Sequence, residues 1–416
     1  MYTQLLAIST LIVSILLLIT GNAFLMTLLG VRLSLEGIAP ALIGSVLVCY
    51  SFGFVIGTLL ANRIILRVGH IRTFAAFSAV AACAALSYPL WVNPLWWALL
   101  RGLSGIAMAT LLVVVESWFS SRATNANRAT LFAIYLITFY LATAGGQLLI
   151  NAGDPQSYKL FSIVALLLTL ALIPLALTRL PAPALEHVQH LPLLQLYQET
   201  PLAFTASLLS GIVISAFYAM APIYAHLTER TLEELSIFMA AAVLSAMLCA
   251  WPIGKLCDRY ERRNVLMWVA LGAAIASITT GLAGALSLPL LIMGSAAFMG
   301  LAAAIYPIAV AIVNDRIDSH YIVAASGALL LAYGIGSCIG PLLSSLLLSI
   351  IGAAGLFVGN AFVLIALALL SRYWIQHREP LPLDAQEHYV PTVPASTPVI
   401  TEIDPRNEAF TGETTE

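Results

Sequence analysis

The chain has 416 residues, of which 61% are hydrophobic and only 9% are charged, and its formal net charge is −2. Because soluble domains carry about a quarter charged residues, the composition excludes an ordinary soluble protein. It also offers no basic stripe that would suit nucleic acid as a partner. Apolar runs of the roughly 20 residues that a bilayer span needs recur nearly end to end. The sequence therefore predicts a polytopic protein whose surroundings are the lipid bilayer.

Charges, prolines and glycines divide these apolar runs into twelve predicted helices. Each span must be helical because unpaired backbone groups are costly in hydrocarbon, and the alternating pattern of a β-barrel is absent from the sequence. The predicted fold is an all-α membrane protein. Its spans are 4–29, 39–61, 73–93, 95–118, 129–150, 159–179, 201–226, 235–256, 264–285, 288–314, 322–348 and 353–375.

The Lys and Arg residues predict the orientation. If the N-terminus is cytoplasmic, the cytoplasmic loops and tail contain 14 of the 18 basic residues and the outer loops only 3, with Arg101 left inside a span. Cytoplasmic loops are enriched in Lys and Arg. We therefore expect a multi-pass membrane protein with both termini in the cytoplasm.

The chain divides into two halves of six spans. We expect an N-terminal six-helix bundle over 1–180, a cytoplasmic linker over 181–200 and a C-terminal six-helix bundle over 201–378. The remainder, 379–416, is rich in Pro, Thr and Glu and poor in large apolar residues. Such a composition buries too little apolar surface to offset the cost of ordering, so it predicts a disordered cytoplasmic tail.

The two halves resemble each other at matching places. The link after the second span, 57–72, and the link after the eighth span, 254–263, both begin with Gly and are basic. The fourth span ends with Glu116 and the tenth with Asp315. Repeated six-span halves are a known transporter architecture, in which the substrate binds near the midplane between the halves.

These links carry a resemblance to a known family. The second link holds Gly254, Asp258, Arg259, Arg262 and Arg263, and it is similar to the signature loop of the major facilitator superfamily, although Glu261 stands where that pattern usually has Gly. The first link departs further, since no Asp follows Gly57. Arg101-Gly-Leu-Ser-Gly105 resembles a motif of proton-coupled exporters in that superfamily, and Gly145-Gly146 resembles the end of its antiporter glycine motif.

The resemblance covers all twelve spans and implies two pseudo-symmetric bundles that move a small molecule. It implies a transporter rather than an enzyme, without a metal or cofactor, with proton coupling left open, and acting as a monomer. It also implies that charged clusters close the cytoplasmic gate in the outward-open state. The predicted gating residues are Gly57, Arg63, Arg67, Gly69, Glu116, Gly254, Asp258, Arg259, Arg262 and Asp315.

Arg101 is the one basic residue that these boundaries place well inside a span, since the others within the ranges lie at or near the ends. A charge at that depth is costly and usually faces a cavity and a partner. We interpret Arg101 as a coupling or anion-binding residue. In the alternative interpretation, its side chain extends to the outer headgroups beside Trp96 and Trp97.

Glu116 has two interpretations as well. It is either a protonatable coupling site or part of an ion pair with Arg63 or Arg67 at the inner gate. The repeat favours the gate, because Asp315 occupies the matching place in the other half. No Asp or Glu lies near the middle of any predicted span, so a coupled proton would need Glu116, Glu36 or a histidine.

Polar and aromatic residues near the midplane are candidates for the wall of a substrate cavity. Amphipathic sites of this kind suit apolar or aromatic ligands. The predicted binding and coupling residues are Arg101, Asn22, Tyr50, Tyr135, Phe139, Tyr218, Tyr306 and Tyr333. We place most weight on Asn22, which needs a polar partner at that depth, and on Tyr306, because Pro307 frees backbone groups beside it.

Three functions remain open at this point. The first is a proton-coupled exporter of small amphipathic compounds working by alternating access. The second is an organic-anion transporter with Arg101 as counter-charge. The third is a membrane sensor on the same fold that binds a ligand without moving it.

Overall fold

The computed structural model describes residues 2–124, 127–177, 193–284, 286–317, 322–379, 381–383, 386–392, 397 and 399. Its α-helices are α1 (Tyr2–Leu35), α2 (Pro40–Val68), α3 (His70–Ser87), α4 (Pro94–Ser120), α5 (Arg128–Leu148), α6 (Tyr158–Leu170), α7 (Leu172–Leu177), α8 (Leu193–Glu199), α9 (Pro201–Leu227), α10 (Leu232–Arg259), α11 (Arg262–Ala283), α12 (Leu288–Ala302), α13 (Ile305–Asn314), α14 (Ile322–Ile351) and α15 (Gly355–His377).

Twelve segments of the described chain are long and apolar enough to cross a bilayer, which confirms the predicted all-α membrane fold. The sixth segment joins α6 to α7, the tenth joins α12 to α13, and α8 lies within the predicted linker. The helix α2 was predicted to end at residue 61 but continues to Val68. Arg63 and Arg67 interrupt the hydropathy there without interrupting the helix, because arginine is a good helix former.

Local sequence signals explain where several helices begin. The Asn93 side chain accepts hydrogen bonds from the backbone N–H groups of Leu95 and Trp96, at 2.9 and 3.2 Å, and so caps α4. Thr231 and Glu234 form a reciprocal capping box at the start of α10. Such caps satisfy N–H groups that have no partner inside the helix.

Glycines allow two helix pairs to pack closely within their halves. A side chain at Gly57 of α2 would meet the Ile106 carbonyl oxygen of α4 at 2.7 Å, and one at Gly105 would collide with the backbone of α2. In the other half, side chains at Gly336 and Gly340 of α14 would collide with the backbone of α9. Small residues at such contacts are typical of membrane helices, where close backbone approach replaces the hydrophobic effect.

Candidate functional site

The bundle has two ends, which we name by their loops. The basic end carries the links 63–72, 121–128, 255–263 and 315–317, and the opposite end carries the loops 36–39, 91–93, 153–157, 228–231 and 352–354. The N-terminal half comprises α1–α7 and the C-terminal half comprises α9–α15. The two halves pack closely at the opposite end, whereas a cavity between them extends to the basic end. This cavity is the candidate site.

At the opposite end, the halves meet through small residues. A side chain at Gly44 of α2 would collide with Ser345 of α14, and one at Gly30 of α1 would meet Pro222 of α9 at 3.0 Å. Close contacts of this kind leave no passage between the helices concerned. The opposite end is therefore closed along both helix pairs.

A polar contact adds to this closure between α5 and α10. The Asn151 amide, just after α5, donates a hydrogen bond of 2.7 Å to the Ser236 hydroxyl of α10, and Ser236 is fully buried. Thr27 of α1 lies 4.0 Å from the Met239 sulfur of α10. All four side chains are neutral.

A cavity of about 1090 Å³ lies between the halves and extends to the basic end. Its wall includes Leu59, Asn62, Arg63 and Leu66 from the basic end of α2. Deeper in the bundle, both halves contribute mainly apolar and aromatic side chains, with a few hydroxyl and amide groups among them. This composition is typical of sites for small organic ligands.

Five of the predicted binding residues line this cavity: Asn22, Tyr50, Phe139, Tyr218 and Tyr333. Tyr306 lies one layer behind, 3% exposed, with its ring centroid 5.5 Å from that of Tyr333. Tyr135 is fully buried, and its hydroxyl bonds to Glu116. The expected direct role in the wall is therefore corrected for these two tyrosines, since other side chains stand between them and the open space.

Sequence reasoning missed several polar residues of the wall, including Thr143, Gln147, Ser215 and Ser337. Phe139, Thr143 and Gln147 are spaced by four and so share one face of α5, because residues four apart are neighbours on a helix surface. Extending the prediction from Phe139 along that face would have identified Thr143 and Gln147. The Thr27 hydroxyl donates a hydrogen bond of 2.5 Å to the Gln147 side chain, which orients the amide at the wall.

Arg101 lies directly behind the cavity wall. Its side chain is fully buried, so the alternative interpretation that it extends to the headgroups is wrong. The guanidinium carbon lies 4.4 Å from the ring centroid of Tyr50, which itself lines the cavity. Within the described part of the chain, none of the three guanidinium nitrogens has a hydrogen-bond partner of good geometry, although the Tyr88 hydroxyl lies beside the group. The structure thus combines a desolvated cation with the face of one aromatic ring, an arrangement that attracts by about 2 kcal/mol when buried.

Glu116 lies at the basic end of α4 and is fully buried. The Tyr135 hydroxyl donates a 2.5 Å hydrogen bond to one carboxylate oxygen. The other oxygen accepts hydrogen bonds from the backbone N–H of Thr397, at 2.9 Å, and from its hydroxyl. The expected ion pair with Arg63 or Arg67 stays a prediction for a state in which the basic end is closed.

The matching acid of the C-terminal half has a cationic partner. Arg262 of α11 donates a 2.5 Å hydrogen bond to Asp315 and a 2.7 Å hydrogen bond to the Ala311 carbonyl. Both ionic side chains are buried, at 2% and 5% exposure. This pair ties the start of α11 to the end of α13.

The other predicted gating residues lie around these two carboxylates. Gly57 packs against α4, and Gly69 takes a φ of +86° between α2 and α3, where L residues with a side chain are strained. Arg63 lines the cavity, while Arg67 and Arg259 are exposed. Asp258 accepts a 2.7 Å hydrogen bond from the backbone N–H of Tyr389, whose ring lies against Gly254.

The tail requires a correction at its described positions. Thr392, Thr397 and Val399 are buried, at 6%, 1% and 6% exposure, although the composition predicted a disordered chain. Val399 forms part of the cavity wall. Backbone hydrogen bonds to carboxylates hold this segment, and composition gives no sign of them. The residues 401–416 of the predicted tail lie outside the described chain, as do 181–192 of the predicted linker.

Within the residues that the structure describes, no three His, Cys, Asp or Glu side chains come together as a metal ligand set. The site thus consists of a large, mainly apolar cavity between two six-helix halves, closed at one end by packing and flanked at the other by charges. This is the architecture of a membrane transporter with its substrate site between repeated halves.

Comparisons with known proteins identify the family. The family model of the Major Facilitator Superfamily matches residues 11–286 and 203–403. An uncharacterized MFS-type transporter of Enterobacter sp. (strain 638) is 32% identical over 376 residues, which cover 89% of this chain and 97% of that one. The uncharacterized MFS-type transporter YcaD of Escherichia coli (strain K12) is 30% identical, with coverage of 83% and 90%. The chain belongs to the major facilitator superfamily.

A solved structure supports the same fold. The crystal structure of the nucleoside transporter NupG superposes with a TM-score of 0.78 at 16% identity, covering 91% of this chain and all of NupG. At that identity, the likeness concerns the fold. The family comparisons identify the chain as a multi-pass transporter rather than an enzyme.

Proposed function

We propose that this protein is a secondary active transporter of the bacterial inner membrane that exports small amphipathic organic molecules by alternating access, in exchange for protons. The observation that carries the proposal is the cavity of about 1090 Å³ between the halves, lined by aromatic, apolar and a few neutral polar side chains. A cavity of that size and lining suits ligands of drug-like dimensions.

The basic end is the cytoplasmic end in this proposal. The excess of Lys and Arg in its loops supports that orientation, with both termini in the cytoplasm. The structure then corresponds to an inward-facing state. Export would begin when a ligand enters from the cytoplasm, and closure of the basic end with opening of the opposite end would release the ligand outside.

In this cycle, the charged residues of the basic end form the cytoplasmic gate. Replacing Asp258 with Asn should reduce transport strongly while ligand affinity stays within a few fold, because Asp258 lies outside the cavity wall. Uptake into inverted vesicles and ligand titration of the same preparations measure the two effects. Unchanged transport would remove Asp258 from the gate.

Glu116 is the candidate for the coupled proton among the residues near the cavity. It is fully buried, and Tyr135 and Thr397 bond to its two oxygens. Glu116→Gln keeps the shape but fixes a neutral side chain. If Glu116 carries the proton, the variant should still exchange ligand for ligand but lose transport driven by a pH gradient. Loss of both reactions would assign it to the gate alone.

A second function is favoured by Arg101. A buried guanidinium without a hydrogen-bond partner of good geometry in the described chain, one ring away from the cavity, would bind an anionic ligand group after a small movement of Tyr50. The substrate would then be an organic anion. Arg101→Ala should abolish anion binding while neutral ligands still bind, whereas Arg101→Lys should retain part of it.

The experiment that separates these functions is a thermal-shift screen of the purified protein with organic anions, cations, neutral amphiphiles and sugars. A ligand that binds the native state raises the melting temperature. Cationic or neutral amphiphiles among the hits would support the exporter, and predominance of anions would support the second function. Ligand counterflow in vesicles then tests transport itself, since a membrane sensor would bind the same ligands without counterflow.

A further inference from the structure

The C-terminal segment bonds to both halves of the transporter at the basic end. Within the C-terminal half, the backbone N–H of Glu387 donates to Asp315 at 3.1 Å, and the Glu387 carbonyl accepts from Arg262. Further along the chain, Thr397 donates to Glu116 of the N-terminal half. The described residues of the segment therefore contact the two halves on either side of the mouth of the cavity.

The contacts recognise the backbone of the segment. Three carboxylates of the transporter, Asp315, Asp258 and Glu116, accept the backbone N–H groups of Glu387, Tyr389 and Thr397. Hydrogen bonds to an ionised acceptor are stronger than those between neutral groups. Because these bonds use backbone N–H groups, any residue other than proline could make them at the three positions.

Two side-chain contacts add specificity to this backbone recognition. The ring of Tyr389 occupies the space that Gly254 leaves open, since a Cβ there would lie 2.8 Å from the ring. Val399 is 6% exposed and contributes to the wall of the cavity itself. Any residue larger than glycine at position 254 would displace Tyr389. This packing gives a structural reason for the glycine in the signature link.

Charge draws the tail as a whole towards the basic end. Residues 381–416 contain seven acids and one base, a charge of −6, while the other 380 residues carry 17 bases and 13 acids, a charge of +4. Most of those bases lie in the loops of the basic end. The tail as a whole is therefore attracted to that end over a distance of about 10 Å at moderate ionic strength. The docking residues 386–399 include a single acid, Glu387, so their binding depends on the bonds and contacts described above.

We propose that the basic-end mouth of the cavity is a binding site for the chain's own C-terminal segment, of which the structure describes 386–392, 397 and 399, and that the bound segment holds the transporter open at this end. Closure would bring the gating residues of the two halves together, and the segment occupies carboxylates on both sides of the gap. Closure therefore requires the segment to leave. This consequence rests on the alternating access proposed above, whereas the docking does not.

Hydrogen exchange of the full-length protein in lipid nanodiscs tests the docking. The amides at positions 387 and 389 should exchange at least about tenfold more slowly than in the double variant Tyr389→Ala/Thr397→Pro. That variant removes the ring contact of Tyr389 and both hydrogen bonds of Thr397 to Glu116 without touching the helices. Exchange at the rate of a free peptide in the unmodified chain would overturn the docking.

Labelling at the opposite end tests the consequence. Ser236→Cys, in a background without the five native cysteines, buries its thiol between the halves and reacts with an impermeant maleimide only when the opposite end opens. A chain ending at Glu379 should be labelled several-fold faster than the full chain. A chain ending at Ile400 is the matched control, because it keeps every described contact, and it should be labelled like the full chain.

The outcomes separate the two parts of the proposal. If the amides are protected but all three chains are labelled at equal rates, the segment docks without keeping the basic end open, and that part of the proposal is overturned. Faster labelling of both shortened chains would assign the effect to residues 401–416 and overturn the role of 386–399. If ligand counterflow fails in every chain, the proposed transport fails, while the exchange rates still decide whether the segment docks.

Discussion

The two ends of this transporter hold their halves together by different kinds of contact. At the opposite end, the contacts between halves are made by small neutral residues, such as Gly44 against Ser345 and Asn151 against Ser236. At the basic end, the described contacts run through the C-terminal segment, which bonds to Asp315 and Asp258 of one half and to Glu116 of the other. One end is closed by packing, and the other is bridged by charge-assisted hydrogen bonds.

The difference indicates how each end should respond to its surroundings. Packed contacts between glycines and their neighbours depend on shape, so they are lost when a side chain is enlarged and are insensitive to salt. At the basic end, Asp258 is exposed, so its bond to the Tyr389 amide should weaken as ionic strength rises. The buried Arg262–Asp315 pair is screened much less. A protein with one end of each kind can change state in response to solution conditions at the basic end alone. Substitutions at the two ends should therefore have separable effects.

The largest effect is expected for Arg262→Ala. Asp315 is 5% exposed, and removing the Arg262 guanidinium breaks a buried ion pair, which costs about 3–5 kcal/mol. We expect a fall of several degrees in the melting temperature of the purified protein. Arg259→Ala is the control, because Arg259 is exposed and stacks only loosely on Tyr260, 5.9 Å away. Equal losses in the two variants would contradict a specific role of the Arg262–Asp315 pair.

Gly44→Val should act on the opposite end. A valine there would collide with Ser345 and the Pro341 carbonyl, and overpacking of this kind costs about 1–3 kcal/mol. Since the clash exists only while this end is closed, the variant should spend more time open. Labelling of Ser236→Cys by an impermeant maleimide should accelerate about tenfold.

The control for Gly44→Val is Gly145→Ala, because a Cβ at Gly145 meets no atom within 4 Å. The control should be labelled like the parent protein. If Gly44→Val and Gly145→Ala behave alike, the packed contact between α2 and α14 does not limit opening.

The sequence predicted the fold well because hydropathy reports burial in lipid directly. The cavity wall was predicted in part. Tyr50 and Tyr218 were recognised as aromatic residues at the depth of the cavity. Depth alone could not show that Tyr135 and Tyr306 lie behind the cavity wall. The rotation of a helix decides this, and it depends on packing such as that of Gly57 and Gly105 between α2 and α4.

The C-terminal segment was the part least accessible to sequence reasoning. Its composition predicts disorder because it contains few large apolar residues, and that test counts only side-chain burial. Glu387, Tyr389 and Thr397 are instead bound through backbone N–H groups, which every residue except proline carries. Their partners are carboxylates already predicted as gating residues. The sequence therefore predicted the residues that form the binding site but not the segment that binds there.

A smaller effect is expected at the cavity wall, away from both ends. Tyr50→Leu removes the ring beneath Arg101 and should destabilise the protein by about 1–2 kcal/mol, whereas Tyr50→Phe keeps the ring and most of the attraction. Thermal unfolding of both variants measures the difference. A leucine variant as stable as the phenylalanine variant would argue against a cation–π contribution.

The smallest effect is expected for Asn151→Ala, which tests whether the neutral contacts of the opposite end are independent of salt. Its amide makes one neutral hydrogen bond across the halves, at 2.7 Å, and such a bond contributes about 1 kcal/mol. Met239→Cys, buried at the same end, serves as the probe, and its labelling should accelerate about fivefold. Because neither partner is charged, the acceleration should be the same at low and high salt, while protection of the Tyr389 amide at the basic end should decrease as salt rises. A salt-dependent effect of Asn151→Ala would mean that the two ends are coupled, since the charged contacts at the basic end would then influence the equilibrium that the neutral contacts report.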